Sequence, residues 1–362
     1  MTLRNIAIVV GIIVSAIVAV ALSMLSDSNP SAEKQDPVST GAQTGIRTEA
    51  LPTKTESGGE LAKLPAPPSA DLKLVLAMMK GEVGPPQEPK DIDYEPFLAK
   101  HGATAVNLIA VFEKTGDRKW LARALDAFPN SPIVLMTALL ERQEALPELR
   151  REWVDRLKLA EPTNPIAWII ASEMLFKEGR PAEAAAEAAA ALERPGFYIY
   201  ASERIAAARA LFEYQGIDPL ISELLGMASL RLPLMSIAQA SSKGLESWKN
   251  AEGTSQRDID EAARIQRGLG RMFQTPEAAR ILIGQLVGIS IETKGLSSLP
   301  ADAQEKRKAE LEATKAEIHD LISVPVEGIV EQDTAVLKEY LNRMRTDGEL
   351  STRRWLNAQL KK

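Results

Sequence analysis

From Asp71 to the C-terminus, apolar residues recur at the three- and four-residue intervals of helices packed on one side, and strand-like alternation is scarce. Leu220, Ile221, Leu224, Leu225 and Ala228 form one such stripe, and Val336, Leu337, Tyr340, Leu341 and Met344 form another. Alanine, the best helix former and a poor strand former, is abundant throughout. Helix starts carry a repeated signal. Ser131-Pro132, Asn164-Pro165, Asp218-Pro219 and Thr275-Pro276 each place a capping side chain before a proline preorganised for the first helical position. Gly102, Gly116, Gly179, Gly216, Gly253 and Gly348 fall between the patterned segments and mark turns. The predicted fold class is all-α.

Two segments precede this body. Residues 6–25 carry no charge, and at about 1.5 Å per residue they match the roughly 30 Å hydrocarbon layer of a bilayer. Arg4 lies before the run and Asp27 after it, which orients the N-terminus to the cytoplasm and the body outside. The alternative is a cleaved signal peptide ending near Ala19-Val20-Ala21, which would release the body as a secreted protein. Residues 1–26 are therefore read as a transmembrane anchor or signal peptide. Residues 27–70, rich in proline, serine, threonine and glycine and devoid of aromatics, form a linker too polar to offset its own ordering entropy. In a bacterium the body would be periplasmic.

An internal period appears in the middle of the chain. Asn130-Ser131-Pro132-Ile133-Val134 recurs as Asn164-Pro165-Ile166-Ala167-Trp168, and Asn130 and Asn164 are 34 residues apart. That length suits one helix, a tight turn and a second helix. The segment from Asn164 to Gly196 resembles the tetratricopeptide repeat family. Trp168 takes the family's tryptophan position, Leu175 its tyrosine, Gly179 its turn, Ala184 its small crossing position and Ala188 its phenylalanine. Ala171 and Ser172 depart from the leucine and glycine of the first helix. A weaker copy precedes it through Val134, Thr137, Ala138 and Glu141, closing at Pro162, and a degenerate unit starts at Ala105. The resemblance implies a helical-hairpin array over residues 71–200, with further helices packed on it over 201–362. It also implies that the first helix of each repeat lines a groove, with Leu135, Leu139, Arg142, Ile169, Glu173, Phe176 and Lys177 facing a protein or peptide partner. The competing reading is that the apolar members simply pack against neighbouring helices.

The later half has a different texture. Ile281 to Ile291 is an apolar run of 11 residues, too short to span a bilayer, and Gly284 and Gly288 suit a close crossing of buried helices. Glu292 ends the run and is expected to cap it or to pair with an arginine such as Arg280. Asp302 to Ile322 reads as a charged, mostly solvated helix with a narrow stripe of Leu311, Ile318 and Ile322.

Composition narrows the chemistry. There is no cysteine, and the histidines are His101 and His319, so thiol chemistry, iron–sulfur clusters and cysteine zinc sites are excluded. A net charge of −6 gives no basic face for nucleic acid. No phosphate loop, dinucleotide turn, nucleophile elbow or His-Glu-x-x-His pair occurs. The expectation is a membrane-tethered extracytoplasmic scaffold that binds a protein or peptide partner, with no catalysis, cofactor, metal, nucleic acid or small-molecule substrate. The alternatives are a cell-envelope enzyme or enzyme subunit on a helical scaffold, and a self-associating structural tether.

Overall fold

The computed structural model describes residues 92–141, 145–229, 233–275, 282–323 and 334–360. Among them every regular element is helical: fifteen α-helices and one 3-10 turn. The apolar run at 6–25, the linker at 27–70, Arg142, Arg280 and the helix start expected at Pro276 lie outside the described residues. No helix among the described residues is long and apolar enough to cross a membrane.

The chain opens with α1 (Glu95–His101), α2 (Ala105–Thr115) and α3 (Arg118–Ala127). Thr104 caps α2 by accepting a hydrogen bond from the Asn107 N–H at 3.2 Å, and Gly116 ends it in the left-handed region at φ 68°. α4 (Pro132–Glu141), α5 (Pro147–Ala160), α6 (Ile166–Lys177) and α7 (Pro181–Leu192) follow as two hairpins. The interval from Pro132 to Ile166 is 34 residues, and so is that from Pro147 to Pro181, so both members of the pair repeat at the period in the sequence. Three of the four capping signals precede helices: one follows Asp218, which accepts from the N–H groups of Leu220 and Ile221, α4 begins at Pro132, and α6 begins at Ile166, where Pro165 takes the cap position and Asn164 Oδ1 accepts from the Ile166 N–H. α4 and α6 are buried almost all round, from Ile133 to Leu140 and from Ile166 to Met174. Helices apolar on every side require cover on every side.

That cover comes from the second half of the chain. Helices packed on the array were expected beyond residue 200, and α8 (Ala201–Tyr214) returns to pack on α2. Arg204 forms a buried ion pair with Glu113, Gln215 Nε2 donates to the Tyr94 hydroxyl at 3.0 Å, and the rings of Phe97 and Tyr214 meet edge-on at 5.5 Å. The turn before α8 is tied to the turn before α6. Asn164 Nδ2 donates to the Tyr198 carbonyl at 3.0 Å, the Gly196 N–H donates to Thr163 at 3.0 Å, and Tyr200, held at φ 56°, donates its hydroxyl to Glu161. α9 (Pro219–Ala228) packs on α8. α10 (Pro233–Lys249) lies against α6 and α7, α11 (Gln256–Met272) against α7 and α10, and α12 (Leu282–Lys294) against α11.

The 3-10 turn at Leu296–Ser298 leads to α13 (Ala301–Ile322), which packs on α12 and on α15 (Glu349–Leu360), the partner of α14 (Thr334–Thr346). α13 buries Leu311, Ile318 and Leu321 along one narrow face. The two stripes legible in the sequence meet each other: Ile221 of α9 clusters with Tyr340 and Leu341 of α14 and Leu356 of α15. The close crossing expected of the apolar run pairs Gly288 with Gly270 of α11, whose own Cβ position is taken by the Glu292 backbone. Glu292 itself pairs with Arg271 and Arg307.

Candidate functional site: the groove between α5 and α7

α5, α6 and α7 enclose a groove of about 510 Å³. Its floor is apolar: Trp168, Ala171, Met174 and Leu175 from α6, with Val154 from α5. Ala186 and Ala190 line it from α7, one helical turn apart on one face. Their methyl groups are too short to reach α5, so the alanine-rich composition of α7 is what leaves the space open. Arg151, Asp155 and Lys158 stand along the α5 wall at the spacing of a single helix stripe. Glu178, Arg180, Glu183 and Glu187 stand opposite.

The walls are joined by ion pairs. Arg151 Nη2 meets Glu178 at 2.7 Å, and Lys158 Nζ meets Glu187 at 2.7 Å. Arg180 donates to Glu183 through Nε at 2.7 Å and to Glu178 at 3.1 Å. Burial pushes the Glu178 carboxyl up, but the hydrogen bonds from Arg151 and Arg180 outweigh it and hold the group below the usual carboxylate range. Arg180 likewise lowers Glu183. Asp155 has no ion-pair partner among the described residues. Trp168 is 8% exposed, with the Arg194 guanidinium 4.6 Å and the Lys158 ammonium 5.5 Å from its ring centre. Solvent-accessible pairs of this kind contribute about 0–1 kcal/mol each, so incoming charges can exchange with them at little cost. The arrangement suits non-covalent capture of apolar side chains flanked by charges. Among the described residues, no group of three or more histidines or acids is placed to hold a metal ion.

The residues expected to line a groove on the first-helix side lie elsewhere. Leu135, Leu139 and Ile169 are fully buried, and Glu173 is 3% exposed. Ser241 of α10 donates to the Ile169 carbonyl at 3.2 Å, and the Phe176 ring lies over Gly244 of the same helix. Glu173 is paired with the exposed Lys177, and Arg142 is outside the described residues. The apolar members pack against neighbouring helices, as the competing reading had it. Sequence reasoning quoted Trp168 and Leu175 for the repeat pattern without placing them in a groove, and missed Arg151, Asp155, Lys158, Ala186 and Ala190. The available signal was the small size of Ala186 and Ala190 on a helix flanking a bulky one.

No protein-family model, curated protein or solved structure matches this chain, so the groove's geometry stands on its own.

Proposed function

We propose that this protein is a membrane-tethered adaptor whose helical body, outside the cytoplasm, holds a protein or peptide segment in the groove between α5 and α7, without covalent chemistry. The observation that carries this reading is the groove: an apolar floor deep enough for side chains, rimmed by ion pairs that a partner's charges can replace. The tether rests on the uncharged run at 6–25 and its flanking Arg4, and the reach on the polar segment that follows. The resemblance of Asn164–Gly196 to the tetratricopeptide repeat supports a binding role in general. It does not extend to the family's usual groove, because α10 covers that side of α6.

The test is site-specific photocrosslinking of the full chain in intact cells. A photoreactive amino acid replaces Ala186, which lines the groove, or Ala309, which is exposed on α13. A discrete crosslinked product is expected from position 186, absent from 309, and lost when Leu175→Glu charges the floor. No discrete product from 186, or the same product from both positions, rejects the groove as the binding site.

A further inference from the structure

A second concavity lies between α10, α12 and α13. Its volume is about 250 Å³. Ile283, Leu286 and Ile289 of α12 form its apolar wall, and Lys294 and Lys315 stand at its mouth. It is distinct in chemistry from the α5–α7 groove. There every described lysine and arginine of the rim is matched by a carboxylate within 4.0 Å. Here Lys294 and Lys315 have no such partner among the described residues.

Burial pushes the Lys294 ammonium down; Glu246 pulls it the other way, and Lys243 and Lys249 add smaller repulsions. Glu246 is already engaged: it accepts from Lys249 at 3.0 Å, from Gln266 at 3.1 Å and from Asn250 at 3.3 Å. Glu312 is exposed on the α13 side of the mouth, and no ion pair joins it to Lys315. At the cleft itself two ammonium groups, Lys294 and Lys315, stand against one carboxylate, Glu312, so an entering anion meets an excess of positive charge.

We propose that this cleft binds a free medium-chain carboxylate, its hydrocarbon chain against Ile283, Leu286 and Ile289 and its head held by Lys294 and Lys315. A cleft of about 250 Å³ suits one short chain rather than a long acyl tail, and octanoate is the probe chosen for it. Apolar burial supplies affinity and the two lysines supply the choice of head group, the usual division of labour in a small-molecule site. The site is independent of the adaptor reading and stands or falls separately.

The experiment uses the full chain in nanodiscs of neutral lipid, irradiated with octanoate carrying a terminal diazirine, with the labelled peptide located by mass spectrometry. Label is expected in the segment 283–294. Octanoate should compete it away, while octanol and octylammonium should need at least about tenfold higher concentration, the discrimination expected of charge-assisted hydrogen bonds. Lys294→Gln with Lys315→Gln should lower labelling about tenfold, and because neither side chain belongs to the core the fold should stay intact. Leu286→Trp should block labelling by filling the cleft. Label scattered over other apolar surfaces, equal competition by octanol, or labelling only by the same diazirine carried on a lipid of the disc would each overturn the proposal.

Discussion

Replacing Glu292 with glutamine tests the polar contact that joins α11, α12 and α13. Glu292 has no exposed surface. Its Oε1 accepts from Arg271 Nε and Arg307 Nε, both at 2.9 Å, and its Oε2 accepts from Gln274 Nε2 at 2.7 Å and Arg307 Nη2 at 2.9 Å. Glutamine has the same shape, but its NH2 group must face one of these donors. Hydrogen bonds to charged groups contribute about 1.5–3 kcal/mol, and removing one partner of a buried pair costs about 3–5 kcal/mol. The Arg271 side chain is 53% exposed and can turn to water, so its share is small. The expected loss for Glu292→Gln is therefore about 3 kcal/mol, from the two-pronged Arg307 contact and Gln274.

The pH dependence follows from the same geometry. Burial raises the Glu292 carboxyl, but the hydrogen bonds from Arg307, Arg271 and Gln274 outweigh it, so the folded-state value lies below the ordinary one. An unfolded glutamate titrates at about 4.3. The stabilisation is thus complete above that value and is lost as pH falls through the lower folded value. Protonated glutamate resembles glutamine, so the difference between wild type and variant should begin to shrink once the pH falls below the unfolded value and should vanish only below the folded one. Urea unfolding of the full chain, followed by tryptophan fluorescence at pH 7, 5, 4 and 3, reads this directly. A difference under about 0.5 kcal/mol at pH 7, the size of an ordinary surface substitution, would refute the reasoning. So would a difference that stays constant down to pH 3.

Two further perturbations probe how the chain closes on itself. Gly244→Ala places a methyl group inside the Phe176 ring; overpacking of this kind costs about 1–3 kcal/mol, offset by about 1 kcal/mol of helix propensity. Adding Phe176→Ala should make the alanine at 244 harmless, and a double-mutant cycle in thermal unfolding without coupling would show that α10 does not rest on α6. Glu113→Gln or Arg204→Met alone should destabilise by about 3 kcal/mol, since each strands a charge in the contact between α2 and α8. The pair together should cost less than the sum, and additive losses would mean that the two side chains do not meet.

The helical architecture was legible because periodicity, capping and turns are local properties. Asp218-Pro219 gives α9, Asn164-Pro165 gives α6, and the interval from Asn130 to Asn164 reappears as the spacing of α4 and α6. What covers what is not local. The stripes on α9 and α14 each announce a partner, but nothing in either stripe names the other, and more than 100 residues separate Ile221 from Tyr340. The groove was misplaced for the same reason. Ile169 and Phe176 have the spacing of a lined surface, and only Ser241 and Gly244, in a helix far along the chain, show that the surface is filled from within. Glu292 was expected to cap its helix or to pair with an arginine; it pairs with two, and which arginines, Arg271 and Arg307 of the two flanking helices, is set by packing.

The circumference of α6 explains why a groove exists at all. Ile166, Trp168, Ile169, Ile170, Met174 and Phe176 make it apolar on every side, so its burial demands bulk from every neighbour. α10 supplies that bulk on one side. On the other, α7 offers Ala186 and Ala190 where larger residues would meet α5, and the shortfall is the groove. A protein selected only for stability would fill it. Ala190→Leu should therefore raise stability by about 1 kcal/mol, because its added carbons leave water for a site already lined by apolar groups. The same substitution should abolish the photocrosslink from position 186. If Ala190→Leu instead destabilises the fold in thermal unfolding, the space is not there, and the binding reading loses the feature on which it rests.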